Sequence, residues 1–141
     1  MKLAYVDACV WIALVEGADA YRKVLRTALA TLSTDGWELC TSDAVLLEVL
    51  IRPMRNRNRG LSDSYRTLLG KTRWLTIPPT VFSDALTVSA REGLKAMDAV
   101  HCTIAMHHGC RRFVTTDPHF KSLQVISPEW ISLGNAIATE P

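Results

Sequence analysis

Short apolar runs of strand length alternate along this chain with stretches whose apolar residues recur at helical spacing, and few folds accept that pattern. Residues 3–6 form an apolar run that stops at Asp7, as a buried strand would. Residues 10–15 start a helix. Beyond them Tyr21, Val24, Leu25, Ala28, Leu29 and Leu32 fall on one stripe of a second helix, with Asp19 as the expected N-cap and Gly36 just past the end. Residues 37–41 alternate like a strand, and Ser42 or Asp43 caps a helix through Leu50 that Pro53 should terminate. Residues 54–60 read as a basic loop, Ser62 opens another helix, and residues 74–77 make a strand closed by Pro78 and Pro79. Thr80 caps a helix to about Gly93, and a further one covers roughly residues 97–108 and stops at Gly109. Residues 112–116 and 124–126 supply two last strands.

Strands that alternate with helices throughout demand a mostly parallel sheet covered on both faces. The expected fold class is therefore α/β, a single three-layer α/β/α domain spanning residues 1–141, since 141 residues suit one domain. With 48% hydrophobic and 21% charged residues the chain can bury a core, which excludes disorder as its main state. Cys9, Cys40, Cys102 and Cys110 form no CxxC pair, and three of them lie in apolar runs where a reduced thiol packs as a small hydrophobe. Asp7, Glu48 and Asp98 interrupt the best candidates for a membrane span, and Asp7 comes too early for a signal peptide. A soluble, cytoplasmic protein with no membrane partner is expected.

Right-handed crossovers put every strand's carboxyl end on one rim, and open parallel sheets bind ligands there, where the strand order reverses. Asp7 ends the first strand and Asp117 follows the strand that begins near Arg112, so both belong on that rim. Each could instead be a helix cap, Asp117 especially because Pro118 follows it. Glu48 sits among Val45, Leu46, Leu47, Val49, Leu50 and Ile51, in a helix that reads as apolar almost all round and largely buried. An ionised carboxylate there is costly unless it is paired or bound to a cation. The alternative, an i,i+4 pair with Arg52, contributes only about 0.2–0.5 kcal/mol on an exposed face. Asp98 opens the helix that carries Val100 and Ile104, as an N-cap or as a fourth member of an acidic set.

Four carboxylates converging on one pocket repel one another and raise some pKa values unless a cation neutralises them. Oxygen ligands alone favour Mg²⁺ or Mn²⁺ over Zn²⁺. A hard cation on a sheet rim suits phosphoester hydrolysis without a covalent nucleophile. Charge is segregated accordingly: Arg52, Arg55, Arg57, Arg59, Arg66, Lys71 and Arg73 face only Asp63 in their stretch, while the whole chain carries just +2. Arg52, Arg55, Arg57 and Arg59 are the candidates for holding a polyanionic substrate by its phosphates.

The segments YVDACVWIAL, TSDAVLLEVL and LKAMDAVHCTIAMHHGCRRFVTTDPHF, in that order and spacing, resemble a PIN-domain ribonuclease, and more narrowly a VapC-type toxin of a bacterial toxin–antitoxin pair. The resemblance covers nearly the whole chain and is most specific in the last segment. It matches Asp7, Glu48, Asp98 and Asp117 to the family's four acidic positions and implies a Mg²⁺ or Mn²⁺ site. In that site Asp7 and Asp98 are the ligands, and Glu48 and Asp117 complete the pocket directly or through water. Thr115 matches the family's supporting hydroxyl, and the implied sheet order sets the first and fourth strands side by side so that Asp7 and Asp117 meet. The resemblance further implies an antitoxin partner and a homodimer. Cys9 departs from it, standing where an oxygen or amide side chain is usual, and a thiol is a weaker hydrogen-bond partner.

Other readings have weaker support. His101, Cys102, His107, His108 and Cys110 fit no common zinc spacing. Trp11, Trp37, Trp74 and Trp130 do not interleave with the arginines and read as core rather than as base-stacking platforms. A receiver-like or haloacid-dehalogenase-like phosphoryl-transfer domain would want an acid at position 8 or 9, where Ala8 and Cys9 stand. A non-catalytic RNA-binding domain with a decayed site sits poorly with four retained acids.

Overall fold

The structure, a computed structural model, describes residues 2–134. Strand β1 (Lys2–Val6) leads into helices α1 (Ala8–Glu16) and α2 (Asp19–Thr34), then β2 (Trp37–Ser42), α3 (Asp43–Arg55), α4 (Arg59–Leu69) and β3 (Arg73–Leu75). Helices α5 (Val81–Glu92) and α6 (Ala96–His107) follow, then β4 (Arg112–Thr115), a 3₁₀ turn (Pro118–Phe120) and β5 (Ser127–Trp130). The five strands run β3-β2-β1-β4-β5, every pair parallel. Leu3, Ala4, Tyr5 and Val6 point alternately to opposite faces and are all buried, so helices cover both faces of the sheet. The α/β class expected from the alternation is the architecture found.

The strand order reverses between β1 and β4, and the main-chain bond from Asp7 N to Val114 O (2.9 Å) locks the two strand ends together at that point. Below it Tyr5 stacks on its register partner Phe113 at 5.7 Å between ring centres, and Phe113 meets Phe120 at 4.8 Å. Truncating Phe113 to alanine would cost about 3–5 kcal/mol. The α2 stripe packs as its period requires, with Leu25, Leu29 and Leu32 buried. Gly109 takes φ +72° just after α6, a left-handed position that suits glycine.

Several boundaries differ from the sequence-based expectation. Pro53 does not end α3, which runs on to Arg55. In the last turn the missing N–H forfeits one ladder bond while the ring is buried, and Arg57 at φ +53° turns the chain instead. The supposed basic loop shrinks to residues 56–58, and α4 starts at Arg59, three residues before Ser62, because Asn58 Oδ1 accepts from Leu61 N (3.1 Å) as N-cap. Asp19 is the first residue of α2 and does not cap it; Ala18 holds that place. The last strand is Ser127–Trp130, where pairing with β4 outweighs the proline at 128, rather than residues 124–126. Only Trp11 is a core tryptophan, for Trp74 and Trp130 are exposed and half-buried Trp37 lies beneath the cations of Lys2 and Arg112. Among the described residues no helix is long and apolar enough to cross a membrane, and all four cysteines are free.

Candidate active site

At the carboxyl rim Asp7 both caps and reaches across the sheet. Its Oδ1 accepts from Ala8 N (2.8 Å), while Oδ2 accepts from Thr115 Oγ1 (3.1 Å) and from Cys9 Sγ (3.2 Å). Only 5% exposed, its carboxyl is raised above the ordinary aspartate value by burial. His101, Cys9 and Thr115 oppose that shift, and Glu48 adds to it. Cys9 takes the place of the usual oxygen and still donates, because burial and the neighbouring Asp7 push its thiol up to about 11.

Thr115 Oγ1 also accepts from Asp117 N (3.0 Å), so one hydroxyl ties the two acids on adjacent strand ends together. Asp117 Oδ1 accepts from His119 N (2.9 Å) and lies 2.7 Å from His119 Nδ1. The N-cap role expected of Asp117 is realised alongside its place on the rim.

Asp98 is not an N-cap. Lys95 holds that position, and Asp98 is the third residue of α6, half-buried, with no hydrogen-bond partner among the described residues. Burial first, then Asp7 and Asp117, then Glu48 raise its carboxyl above the ordinary range, with His101 opposing. Asp98 thus feels the charge of the other three acids.

Glu48 corrects the sequence reading. It is 37% exposed at the side chain, and α3 carries an exposed apolar stripe of Leu47, Ile51 and Met54 where burial all round was expected. The sequence reading takes Leu47 and Ile51 as core, and places Met54 in the basic loop, because one helix cannot show which of its faces a neighbour covers. Glu48 makes no ion pair with Arg52; its Oε1 is hydrogen-bonded to His101 Nε2. His101 is 0% exposed, three residues after Asp98 on α6, and its Nδ1 lies 2.7 Å from the Tyr5 hydroxyl. Asp7, Glu48 and His101 bring one ligand atom each within 4.8 Å of one another.

Sequence reasoning missed His101, weighing it only as a zinc ligand. Its period with Asp98 and the apolar residues around it were the available signal. The His101, Cys102, His107, His108 and Cys110 grouping is not assembled as one site among the described residues: His107 and His108 pack edge to face at 5.0 Å, His108 Nε2 lies 2.7 Å from Thr76 O, and Cys102 and Cys110 are buried in the core. Arg52, Arg55, Arg57 and Arg59 are all exposed, along the end of α3, the turn and the start of α4. Arg52 follows Glu48 by one helical turn, about 6 Å along the axis.

The donor set fits a hard divalent cation. A carboxylate without a hydrogen-bond donor, a buried one raised by burial, and two more acids nearby present excess negative charge and oxygen ligands.

The PIN domain family profile matches residues 4–126 of this chain. Solved structures of similar fold include VapBC2 from Rickettsia felis bound to a DNA fragment from their promoter, at 14% identity and a TM-score of 0.73, covering 93% of this chain and 100% of that one. VapC20 of Mycobacterium tuberculosis, a sarcin–ricin-loop-cleaving toxin, matches at 18% identity and 0.62, covering 78% of this chain and 86% of that one. DNA-bound VapBC from Salmonella typhimurium matches at 18% and 0.64, covering 94% and 100%. No curated protein matches the chain in sequence.

Proposed function

The chain belongs to the PIN domain family, and from that premise we propose that it is a Mg²⁺- or Mn²⁺-dependent endoribonuclease, the VapC-type toxin of a bacterial toxin–antitoxin pair. The observation that carries this reading is the acidic group at the sheet's switch point, where Asp7 and Glu48 bring carboxylate oxygens within 4.8 Å of each other and Asp98 is raised first by burial and then by Asp7, Asp117 and Glu48. The similar structures, a sarcin–ricin-loop-cleaving toxin and two DNA-bound VapBC assemblies among them, support the same reading.

Asp7 and Asp98 would hold the cation, with Glu48 and Asp117 completing the pocket directly or through water. When bound, such a cation stabilises charge on phosphoryl oxygens and makes hydroxide accessible near neutral pH. The residues do the rest. Thr115 and Cys9 fix the Asp7 carboxylate by donating to Oδ2. Glu48, with Oε1 engaged by His101, keeps Oε2 as the acceptor for the attacking water's proton. The water oxygen bonds to phosphorus, the bond to the leaving sugar oxygen breaks, and that oxygen takes a proton from solvent. Arg52, Arg55, Arg57 and Arg59 would hold flanking phosphates without reading sequence.

An antitoxin and a second copy of the chain are the expected protein partners, in the cytoplasm, and exposed Leu47, Ile51 and Met54 on α3 and Phe82 and Leu86 on α5 are apolar surface that partners would cover. A single domain over residues 1–141 is part of the same proposal.

Cleavage of total RNA by wild type and Asp98→Asn, each with Mg²⁺, Mn²⁺ or EDTA, tests the reading. Metal-dependent cutting that the variant loses is expected. Salt-sensitive RNA binding without cutting would replace it with a non-catalytic function, and equal cutting by both proteins in EDTA would remove the acids from the chemistry.

A further inference from the structure

A chain of hydrogen bonds crosses the core from the start of α3 to Glu48. Ala44 N donates to Ser42 Oγ (3.2 Å), Ser42 Oγ lies 2.8 Å from the Tyr5 hydroxyl, that hydroxyl lies 2.7 Å from His101 Nδ1, and His101 Nε2 bonds Glu48 Oε1. Ser42, Tyr5 and His101 are each 0% exposed, so every polar atom in the chain must find its partner within it.

That requirement sets the direction of each proton. An ionised carboxylate only accepts, so Nε2 must carry the imidazole proton and donate to Glu48. Nδ1 of the neutral ring is then an acceptor and takes the Tyr5 O–H. The Tyr5 oxygen in turn accepts from the Ser42 hydroxyl, whose oxygen is already the acceptor for the α3 N-cap. Burial holds the Tyr5 hydroxyl far above its ordinary value, consistent with its donating role. With Nε2 donating and Nδ1 accepting, nothing in the chain is left unsatisfied.

We propose that His101 is a positioning residue, fixed in its Nε2–H tautomer by Tyr5 and Ser42, which holds Glu48 at the acidic pocket and is not itself a metal ligand. Although one ring nitrogen of His101 lies within 4.8 Å of carboxylate oxygens of Asp7 and Glu48, Nε2 has no lone pair to offer while it donates to Glu48, and the lone pair of Nδ1 is taken by the Tyr5 hydroxyl. The arrangement also explains why a glutamate on a solvent-facing turn of α3 keeps one orientation: its anchor comes from α6 and, through Tyr5, from β1 and β2. The proposal rests on the metal-dependent reading above for its consequence, but not for its geometry.

Two measurements separate the layers. Imidazole ¹⁵N spectra of the metal-free wild type should show a neutral His101 protonated at Nε2, and Mg²⁺ should leave that proton in place. Mn²⁺ titrated by calorimetry into wild type, His101→Leu, His101→Gln and Tyr5→Phe should show a loss of about ten- to a hundredfold in affinity for His101→Leu. His101→Gln should recover most of it, because its amide N–H can donate to Glu48. Tyr5→Phe should fall between wild type and His101→Leu. Equal Mn²⁺ affinity in wild type and His101→Leu, an Nδ1–H tautomer, or loss of the Nε2 proton on adding Mg²⁺ would each overturn the proposal. If wild type takes up no Mn²⁺, the metal-dependent function fails, while the metal-free tautomer still decides the His101–Glu48 arrangement.

Discussion

Replacing Glu48 with glutamine should stabilise the metal-free protein. A carboxylate oxygen of Glu48 lies within 4.8 Å of one of Asp7, a distance at which two unit charges repel by about 0.9 kcal/mol in bulk water and about 3.5 kcal/mol at an effective dielectric of about 20. Glu48 is 37% exposed, so screening draws the relief from its neutralisation toward the lower end, about 1 kcal/mol. Glutamine keeps an oxygen to accept from His101 Nε2, so the core network survives. At this chain length 1 kcal/mol corresponds to a rise in Tm of roughly 3–4 °C. Saturating Mg²⁺ should invert the order, since a ligand at about 100 times its Kd stabilises wild type by about 2.7 kcal/mol and the variant by less. The pH dependence follows from Asp7, whose folded pKa is raised by burial. Its contribution to stability is full below about pH 3.9, the unfolded value, and is lost as pH rises through the folded value. The gap between variant and wild type should therefore close on acidification. Thermal unfolding at pH 4–8, with EDTA or Mg²⁺, reads all three effects. A glutamine variant less stable than wild type in EDTA at pH 7, or equal stabilisation of both by Mg²⁺, would refute the reasoning.

Further outcomes follow from the same geometry. Thr115→Val deletes the donor to Asp7 and the acceptor for Asp117 N, and should cost about 1–3 kcal/mol in urea unfolding, with Thr115→Ser restoring most of it. In an Asp98→Asn background, alanine at Arg52, Arg55, Arg57 and Arg59 together should make the slope of log affinity against log salt for single-stranded RNA shallower by about 3, measured by anisotropy. With its thiol pushed up to about 11, Cys9 should react only slowly with iodoacetamide in the native protein at pH 8, as mass spectrometry of the alkylated chain would report.

The fold was legible because burial of both sheet faces leaves its mark on every strand: Leu3 to Val6 and Phe113 to Thr115 are continuous buried runs between helical periods. Boundaries were less legible where two local signals competed. Pro53 and Asn58 each carry a stop or start signal, and the tertiary burial of the proline ring decided between them. Glu48 was singled out for a burial it does not have. The apolar residues around it divide between a covered and an open face of α3, and no count along one helix reveals that division. His101 was passed over because its partners, Tyr5 and Glu48, lie 96 and 53 residues away in sequence.

Asp7 and Asp117 each cap the start of an element and also stand on the carboxyl rim where the proposed acidic site lies. Asp7 caps α1 with Oδ1 and presents Oδ2 to Thr115 and Cys9, and Asp117 caps the 3₁₀ turn while its N–H is held by Thr115. A helix start at a strand end supplies backbone N–H groups that hydrogen-bond a carboxylate there, as Ala8 N and His119 N do. Losing either acid therefore disturbs local structure and chemistry together, and a dead variant at those positions is hard to interpret. Asp98 and Glu48 cap nothing. Asp98 has no hydrogen-bond partner among the described residues and Glu48 is held only by His101, and an acid that gives a fold so little is the condition expected of a group that serves binding. Neutral variants at positions 98 and 48 are consequently where folding and function come apart: each should raise the stability of the metal-free protein while lowering its hold on a divalent cation.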